Sequence, residues 1–398
     1  MSSDAREVVI LGGARTPSGR FEGQLSQIPA AELGAVAIRA AVERSAVDPL
    51  DIGEVLMGNV LSGGQGQAPA RQASMRAGLP ASLGATTINK VCGSSLKAAA
   101  LAAQAIRLRD EDCVLAGGME NMYLAPYALP GARAGLRLAH KQVLDLAVLD
   151  GLWCAFEDWH MGNAAEWVAE EGRISRERQD EFALDSHRKA VAAMTSGAFQ
   201  REIAPVEVHD RKGNVTVVDT DETPRADTSL EALARLKPAF QKVGTVTAGN
   251  APGMCHGAAA LVLAGADWAE ARGLRPLGRV LAFAQAAVEP KKLFLAPVDA
   301  VGKVLAKVGL TAGDMDLIEI NEAFAAQVLA DGDRIPNWDW SKVNVRGGAI
   351  ALGHPIGASG ARIVVTLLHA LQDTGGRYGL ATACLGGGEA VAMVIEAH

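Results

Sequence analysis

The sequence predicts an α/β protein in which one order of strands and helices occurs twice, with a large insertion between the copies. Strand-like apolar segments alternate with helical segments at both ends of the chain, and this alternation is typical of sheets covered by helices. The order and spacing of the segments are similar at the two ends. The middle of the chain, roughly 121–270, is polar, contains several prolines and breaks the alternation.

The predicted order within each copy is strand, helix, strand, strand, helix and strand. In the first copy the predicted strands are VVILGGAR (8–15), EVLMGNV (54–60), TTINKV (86–91) and CVLAGGME (113–120), and the predicted helices are 30–46 and one that begins at residue 93. In the second copy the predicted strands are LGRVLAFAQA (277–286), LIEINEA (317–323), VNVRGGAI (343–350) and GLATACLGGG (379–388), and the predicted helices are 297–309 and 357–373. Such short apolar runs between turn residues predict buried strands, and their alternation with helices favours parallel sheets.

The spacing of particular residues supports an internal duplication. Gly58 precedes Cys92 by 34 positions, and Asn321 precedes His354 by 33. The turn that holds Cys92 therefore corresponds to the turn that holds His354. Two stacked halves would bring both turns to one shared edge, and ligands bind at the carboxyl edge of such sheets.

Length alone suggests two or three domain-sized units in 398 residues. We expect an N-terminal half over 1–120, completed by part of 250–275, and a C-terminal half over 271–398. The segment 121–270 is expected to form a loop or cap domain that covers the site and holds the substrate.

The composition excludes several classes of protein. Only 21% of the residues are charged and about half are apolar, as in folded globular proteins. A net charge of −7 without a strongly basic run argues against nucleic-acid binding. No signal peptide or stretch of 18 apolar residues is visible, so no membrane association is expected. The five scattered cysteines lack a C-x-x-C pair and fit a reducing cytoplasm.

Cys92 is the cysteine that the pattern places at the start of a helix, in INKVCGSSLKAAA. Unpaired N–H groups and the helix dipole favour negative charge there, and the thiolate is the nucleophilic form of cysteine. Gly93, Ser94 and Ser95 leave room for an acyl group. The alternative interpretation is a small buried side chain that serves only packing.

His354 and Asn321 lie in the second copy, at positions related to the cysteine turn by the duplication. A single histidine is often structural, but one opposite Cys92 is a candidate base for the thiol proton. Asn321 ends the preceding strand and could hold a water molecule or a carbonyl oxygen. It could also simply cap a loop.

Cys384 precedes a run of three glycines, 386–388, that is too flexible for the middle of a strand. Backbone N–H groups of such a run, beginning with Gly386, could point at a developing oxyanion. Two cysteines, a histidine and an asparagine at one edge suit a reaction that needs both a covalent acyl carrier and a separate acid or base.

The motifs together resemble those of the thiolases over essentially the whole chain. The matching segments, in the family's order, are RTPSGRFEG, GQGQAPARQ, NKVCGSS, VTAGNAPG, NEAF, GGAIALGHPIGASGAR and CLGGG. The resemblance implies a duplicated, five-layered α-β-α-β-α architecture with a long cap loop, assembled as a homodimer or homotetramer. It also implies that acyl-CoA and CoA are the partners and that no cofactor is needed.

The resemblance implies ping-pong acyl transfer between CoA thioesters. Cys92 would carry the acyl group, His354 would activate its sulfur, and Cys384 would deprotonate the second acetyl-CoA or, in thiolysis, activate CoA. One oxyanion site would use the N–H groups of Cys92 and Gly386. The other would use His354 and a water molecule held by Asn321.

The family pattern also indicates residues that contact substrate. HMG at 160–162 resembles the short-chain, acetoacetyl-CoA type and places His160 and Met161 beside the acyl pocket. The remaining candidates for the pocket or the CoA path are Phe240, Ala251, Leu293 and Phe324, with Arg225 as a phosphate contact. Loop packing and an ordinary surface arginine are the alternatives for Met161, Phe240 and Arg225.

Several residues depart from the family pattern. Pro252, Cys255 and His256 replace a serine, an asparagine and an aspartate, and Arg346 replaces an asparagine. The further departures are Leu293 and Phe294, in place of methionine and glycine, and Glu389 and Ala390 after the glycine run. These changes bear on acyl length and CoA affinity, since a bulky Phe294 would narrow or reshape the pocket.

Other functions remain as alternatives. A thiolase for longer 3-ketoacyl chains has the same motifs, and a non-catalytic, lipid-binding relative would be expected to lack Cys92, His354 or Cys384. Ketoacyl-carrier-protein synthases share the architecture, but a cysteine before three glycines points away from them. ILGGARTPSG lacks the G-x-G-x-x-G spacing of a dinucleotide site.

Overall fold

The computed structural model describes residues 6–398, which form sixteen strands and twelve α-helices. The strands are β1 (Val8–Arg15), β2 (Gly19–Arg20), β3 (Glu54–Gly58), β4 (Gly84–Ile88), β5 (Cys113–Asn121), β6 (Tyr127–Ala128), β7 (Leu144–Asp145), β8 (Trp153–Cys154), β9 (Trp159–His160), β10 (Val206–His209), β11 (Val215–Val218), β12 (Cys255–Gly265), β13 (Gly278–Ala287), β14 (Leu317–Ile320), β15 (Tyr378–Leu385) and β16 (Glu389–Ala397). The helices are α1 (Ala30–Ser45), α2 (Pro69–Arg76), α3 (Ser94–Leu108), α4 (Leu146–Leu149), α5 (Met161–Gly172), α6 (Arg176–Thr195), α7 (Leu230–Ala234), α8 (Ala266–Ala271), α9 (Ala296–Val308), α10 (Ala325–Gly332), α11 (Ala349–Leu352) and α12 (Ser359–Thr374).

The main sheet shows the duplication directly. Its strand order is β14-β15-β16-β13-β1-β12-β5-β3-β4, with β2 paired to β12. The two halves meet where β1 pairs with β13. Reading outward from that contact, the order is β1-β12-β5-β3-β4 on one side and β13-β16-β15-β14 on the other. The predicted internal repeat is therefore present as a repeated topology.

The sheet is mixed, so the expectation of parallel sheets is wrong in part. Pairs β3–β4, β3–β5 and β14–β15 are parallel, whereas β1–β12, β5–β12, β13–β16 and β15–β16 are antiparallel. Each half of the sheet contains one strand that runs antiparallel to the other strands of that half, β12 in the first half and β16 in the second. The sequence analysis did not identify β16, because the three glycines before it look like the end of strand β15, whereas they form the turn of a hairpin.

The segment 343–350 does not form the predicted strand. It makes a single bridge to β14, between Val343 and Ile318. The Asn344 side chain then takes the place of a paired strand, because its amide accepts from Ile320 N at 2.9 Å and donates to Ile320 O at 3.0 Å. Positive φ angles of 44° at Asn344 and 75° at Gly347 prevent further extension.

Three apolar cores define the layers. One core joins α1 and α2 to one face of the first half-sheet, and another joins α9 to the outer face of the second. The third, between them, contains α3, α12 and inward residues from both half-sheets. Strand β16 shows the alternation, since Ala390, Ala392 and Val394 face the outer core and Val391 and Met393 face the central one. The result is a five-layered α-β-α-β-α arrangement.

The segment between β5 and β12 lies outside the main sheet. It carries three two-stranded hairpins, β6–β7, β8–β9 and β10–β11, together with helices α4–α7. Helix α5 packs with α10 and the turn at Pro290–Leu295 in an apolar cluster that also contains Cys384. The insertion therefore supplies one wall of the space next to the glycine hairpin. No described helix combines the length and apolarity required to cross a membrane.

Candidate active site

Cys92 lies in the tight turn between the end of β4 and the start of α3. Val91 before it has φ 45°, which is unusual for a β-branched residue and places strain at the turn. Ser94 braces this conformation, because its hydroxyl accepts from Lys90 N at 2.8 Å and donates to Val91 O at 2.6 Å. The turn therefore places the Cys92 side chain at the junction between β4 and α3.

Burial keeps the Cys92 thiol protonated in the resting protein. It raises the pKa of Cys92 to about 12, although the backbone N–H groups of Gly386 and of Cys92 itself point at the sulfur and oppose the rise. The negative charge of Glu120 adds to it. Cys92 is therefore a thiol at rest, and a base is needed to remove the proton.

His354 is buried between α11 and α12, and its tautomer follows from its hydrogen bonds. Its Nδ1 lies 2.6 Å from Ser359 Oγ, and that hydroxyl donates its proton to Pro355 O at 3.0 Å. Nδ1 must therefore carry the proton and donate to Ser359, which leaves the lone pair on Nε2. Burial, with a contribution from the Arg362 charge, lowers the pKa of His354 to about 3. The imidazole is neutral and can accept a proton.

Asn321 follows β14 directly and lies beside His354. Its Nδ2 is 3.5 Å from His354 Nε2, and its backbone N donates to Thr382 O at 2.9 Å. Its Oδ1 is buried and accepts no hydrogen bond from any residue of 6–398. Asn321 thus presents an amide donor and a free acceptor next to the imidazole.

Cys384 and Gly386 lie on the hairpin between β15 and β16. Leu385 pairs with Glu389, and Gly387 and Gly388 have φ of 89° and 90°, which only glycine adopts readily. Burial raises the pKa of Cys384 well above its ordinary value, and the neighbouring Cys92 sulfur adds to the rise. Cys384 is therefore also a thiol at rest.

One cavity of about 270 Å³ brings these groups together. Its lining includes Cys92, His354, Cys384 and Gly386. The other lining residues, mostly apolar, are Met122, Gly151, Leu152, His160, Met161, Phe240, Ala251, Pro252, Gly253, Met254, Leu293, Phe294, Ala323, Phe324, Ile356 and Leu385. The polar groups are concentrated at the two sulfurs and the imidazole, as expected for a site that binds a small acyl group.

An aromatic wall bounds the cavity on the side of the insertion. His160 stacks on Phe240 with ring centroids 4.8 Å apart, and its Nδ1 accepts from Gly162 N at 3.0 Å, capping α5. Phe324 lies edge-on to Phe240 at 6.2 Å and to Phe294 at 5.5 Å. The predicted pocket residues therefore lie together, and Phe294 extends their row.

Arg225 lies elsewhere, in a second groove of about 590 Å³. Its side chain is exposed, and its backbone N donates to His187 Nδ1 at 3.1 Å. Ala251 and Met254 line both the groove and the cavity, so the two spaces are adjacent. An elongated ligand could extend from the sulfurs to Arg225.

Glu120, which the sequence analysis did not single out, connects the two halves beneath the site. It is fully buried and accepts from Asn59 Nδ2, Val60 N and Leu61 N of the first half. It also accepts from Gly357 N of the second half at 2.9 Å. Burial raises the pKa of Glu120 to about 7. Its position at the end of an apolar strand, in GGMEN, is the sequence signal that could have identified it.

Three of the residues that depart from the family pattern have packing roles. Cys255 is buried, and a side chain at Gly353 would approach its sulfur to 2.7 Å. His256 accepts from Met122 N at 3.2 Å through Nδ1 and contacts Phe21 O at 3.0 Å through Nε2. Arg346 pairs with Glu202 and Asp373 and does not line the cavity.

A duplicated five-layered fold with two cysteines and a histidine around one apolar cavity is the arrangement expected of thiolases. The family model described as "Thiolase, N-terminal domain" matches residues 8–267, and "Thiolase, C-terminal domain" matches 274–397. The chain therefore belongs to the thiolase family.

Full-length relatives agree with this assignment. The chain is 54% identical over 392 residues to an acetyl-CoA acetyltransferase of Escherichia coli (strain K12), covering 98% of this chain and 99% of the relative. It is 52% identical over 390 residues to one of Pseudomonas aeruginosa, with the same coverage. The crystal structure of the Bacillus anthracis acetyl-CoA acetyltransferase superposes with a TM-score of 0.97 at 42% identity, covering 100% of both chains.

The rate of Cys92 alkylation should depend on pH differently in the wild type and in His354→Ala. In His354→Ala the base is lost, and because the pKa of Cys92 is raised to about 12, the thiolate fraction and the rate with iodoacetamide should grow about tenfold per unit between pH 7 and 9.5. In the wild type the neutral imidazole takes the thiol proton within the site, so the rate near pH 7 should be higher than in His354→Ala and should change less with pH. Mass spectrometry of the Cys92 peptide measures both rates. Equal rates and equal slopes in the two proteins would contradict the role of His354 as the base.

Ser359→Ala should slow the same alkylation about tenfold at pH 7.5, because Nδ1 loses its acceptor and the imidazole no longer keeps its lone pair on Nε2. The matched control is Ser95→Ala, which removes another buried serine that accepts from Ala361 N at 2.9 Å without touching His354. Equal rates in the two variants would contradict the role of Ser359.

Proposed function

We propose that this chain transfers acetyl groups between CoA thioesters, condensing two acetyl-CoA to acetoacetyl-CoA and CoA or catalysing the reverse thiolysis. The observation that carries the proposal is the convergence of Cys92, His354 and Cys384 on one apolar cavity, with two backbone N–H groups directed at the Cys92 sulfur. The curated relatives named acetyl-CoA acetyltransferase support the same activity.

In the first half-reaction His354 Nε2 takes the proton of Cys92, and the sulfur attacks the thioester carbon of acetyl-CoA. The carbonyl oxygen becomes negative and receives the N–H groups of Cys92 and Gly386. When the C–S bond to CoA breaks, the departing thiolate takes a proton from Cys384. The products are acetyl-Cys92, imidazolium and a Cys384 thiolate, so charge and protons balance.

In the second half-reaction the Cys384 thiolate removes a proton from C2 of another acetyl-CoA. The resulting carbanion attacks the acetyl group on Cys92, and the expelled Cys92 sulfur regains its proton from His354. In the reverse direction Cys384 deprotonates CoA instead. The enzyme returns to two thiols and a neutral imidazole, which are the forms that burial favours at rest.

A second oxyanion site is needed for the enolate of that acetyl-CoA. His354 and Asn321 are proposed to supply it, since the imidazolium carries a proton on Nε2 at this stage and the Asn321 amide lies 3.5 Å from that nitrogen. The buried Asn321 Oδ1 offers an acceptor that could orient a water molecule toward the same oxygen.

A small acyl group fits the cavity better than a long chain. The aromatic rings of Phe240, Phe324 and Phe294 close the space of about 270 Å³ beyond the two sulfurs. His160, Met161 and Leu293 complete this wall. We therefore favour acetyl and acetoacetyl groups over the longer 3-ketoacyl chains of the alternative function.

The CoA portion is proposed to run past Ala251 into the second groove. Arg225 would meet a phosphate there, together with Arg20 at the same groove. No cofactor is proposed beyond the CoA thioesters themselves. The homodimer or homotetramer expected from the resemblance also remains a prediction.

All five cysteines are free thiols in the structure. We propose a reducing compartment, the cytoplasm, as the place of action, because both catalytic sulfurs must stay reduced.

Cys384→Ala should still form acetyl-Cys92, more slowly because CoA leaves as a thiolate without the Cys384 proton, but it should lose condensation by at least about 10²-fold, because removal of the C2 proton is a separate task. Intact mass after incubation with acetyl-CoA measures the adduct, and acetoacetyl-CoA formation measures condensation. Cys92→Ala should show no adduct, and the core variant Cys113→Ala should behave as wild type.

Normal acetoacetyl-CoA formation by Cys384→Ala would overturn the assignment of the second sulfur. Absence of an adduct on the wild-type protein would favour the non-catalytic, lipid-binding alternative.

Phe294→Ala should broaden acyl-length tolerance. Each methylene that enters the vacated space contributes about 0.8 kcal/mol, so kcat/KM for 3-ketohexanoyl-CoA relative to acetoacetyl-CoA should rise about fourfold per accommodated methylene. Phe199→Ala is the matched control, since Phe199 and Phe294 are both 3% exposed but only Phe294 lines the cavity. An unchanged ratio in Phe294→Ala and in the milder Phe294→Leu would place this ring outside the specificity pocket.

A further inference from the structure

Lys90 and Glu389 form an ion pair that spans the two turns around the reacting sulfur. Lys90 Nζ lies 2.7 Å from Glu389 Oε2, and the two side chains are 18% and 37% exposed. Lys90 precedes Cys92 by two residues in the first half, and Glu389 opens β16 directly after the glycine turn in the second half. The pair therefore links the two segments that supply the N–H groups of Cys92 and Gly386.

The two turns pack against each other near the sulfur through apolar contacts. A Cβ at Gly386 would lie 3.3 Å from Val91 Cγ1, so the glycine backbone packs closely against the Val91 side chain. A Cβ at Gly93, next to Cys92, would lie 2.3 Å from Leu385 Cδ2 and 2.9 Å from Val391 Cγ2, on either side of the glycine turn. These apolar contacts have no preferred direction, and Val91 holds a strained φ of 45°. The ion pair adds a directional, charge-assisted contact between the same two segments.

The ion pair is attached firmly to the cysteine turn. The backbone N of Lys90 donates to Ser94 Oγ at 2.8 Å, and the same hydroxyl donates to Val91 O at 2.6 Å. On the other side Glu389 is paired in the sheet, opposite Leu385 of β15 and Ala287 of β13. A displacement of Glu389 is thus a displacement of the hairpin that carries Gly386.

Lys97 also faces this pair. Its pKa is lowered by burial and by the Lys90 charge, and the Glu389 charge acts in the opposite sense. The Glu389 charge therefore offsets part of the repulsion between the two lysines. Its loss would leave two ammonium groups near each other, whereas loss of Lys90 would leave Lys97 as a remaining partner for the carboxylate.

We propose that Lys90 and Glu389 are positioning residues that hold the N–H donors of Cys92 and Gly386 in register across the duplicated halves. This inference rests on the proposed function, in which both donors meet the same carbonyl oxygen. Losing one such donor outright costs about 10²–10³ in kcat, so a partial misalignment should cost less, about three- to tenfold.

The test compares Lys90→Met, Glu389→Gln, the double variant and the swapped pair Lys90→Glu/Glu389→Lys in the full chain. For thiolysis of acetoacetyl-CoA, each single variant should lower kcat about three- to tenfold and leave KM within about twofold. Glu389→Gln should be the more severe. The double variant should be no worse than Glu389→Gln, and the swap should recover part of kcat.

Alkylation of Cys92 by iodoacetamide provides a readout that does not depend on acetyl transfer. If the pair acted only through its charges, removing the lysine would slow alkylation and removing the glutamate would speed it, because a nearby cation favours a thiolate and an anion disfavours it. Positioning predicts that both variants are slower, since the N–H groups that stabilise the thiolate are displaced in each. Glu32→Gln, which breaks the exposed Glu32–Arg76 pair far from the site, should leave the rate unchanged.

The outcomes separate the two proposals. Opposite effects of Lys90→Met and Glu389→Gln on alkylation, or a change confined to KM for CoA, would overturn the positioning role, the latter showing that Lys90 instead contacts CoA. Unchanged kcat and alkylation in both variants would also overturn it. Failure of the wild-type protein to form acetyl-Cys92, with both variants alkylated more slowly, would refute acetyl transfer while leaving the positioning of the two turns supported.

Discussion

The buried carboxylate of Glu120 is the interaction on which the site depends. It accepts hydrogen bonds from the residues that follow β3 and from Gly357 of the histidine loop, so one side chain joins the two copies. The loop can come this close only because Gly58 and Gly118 have no side chains. A Cβ there would lie 2.7 Å and 2.0 Å from Gly357 O. This contact between the halves brings the loop that carries His354 to the cavity that Cys92 also lines.

The enclosure that follows from this packing determines the protonation states. Burial raises the pKa values of both reactive thiols and lowers that of His354, so all three groups are uncharged at rest. In the proposed reaction, each charge then arises by transfer of a proton between neighbouring groups within the site. Ser359 contributes by keeping the proton of the resting imidazole on Nδ1, away from Cys92. The two thiols and the imidazole are thus the main polar groups of a cavity whose walls are otherwise mostly apolar.

Much of the fold and the reactive groups could be predicted from the sequence, because strand-length apolar runs and glycine turns are local signals. Strand β1 and helix α1 lie where the pattern placed them, and the duplication was visible in the spacing of Gly58, Cys92, Asn321 and His354. The exceptions depend on contacts between distant residues. The Asn344 side chain forms hydrogen bonds to Ile320 where the sequence predicted a paired strand. Strand β16 follows three glycines that, in the sequence, look like the end of the preceding strand. The thiol pKa of Cys92 depends on burial, which the helix-start argument omitted, and Glu120 could not be recognised before its partners were known.

The aromatic wall has a consequence for the covalent intermediate. A thioester on Cys92 would sit against Phe240, Phe324 and Met161, among mostly apolar side chains. Hydrolysis of that intermediate would compete poorly with attack by a second substrate. In the proposed reaction, the lifetime of the acetylated enzyme would then be set by the arrival of the next thioester or of CoA, so the wall that restricts acyl size would also preserve the activated acetyl group.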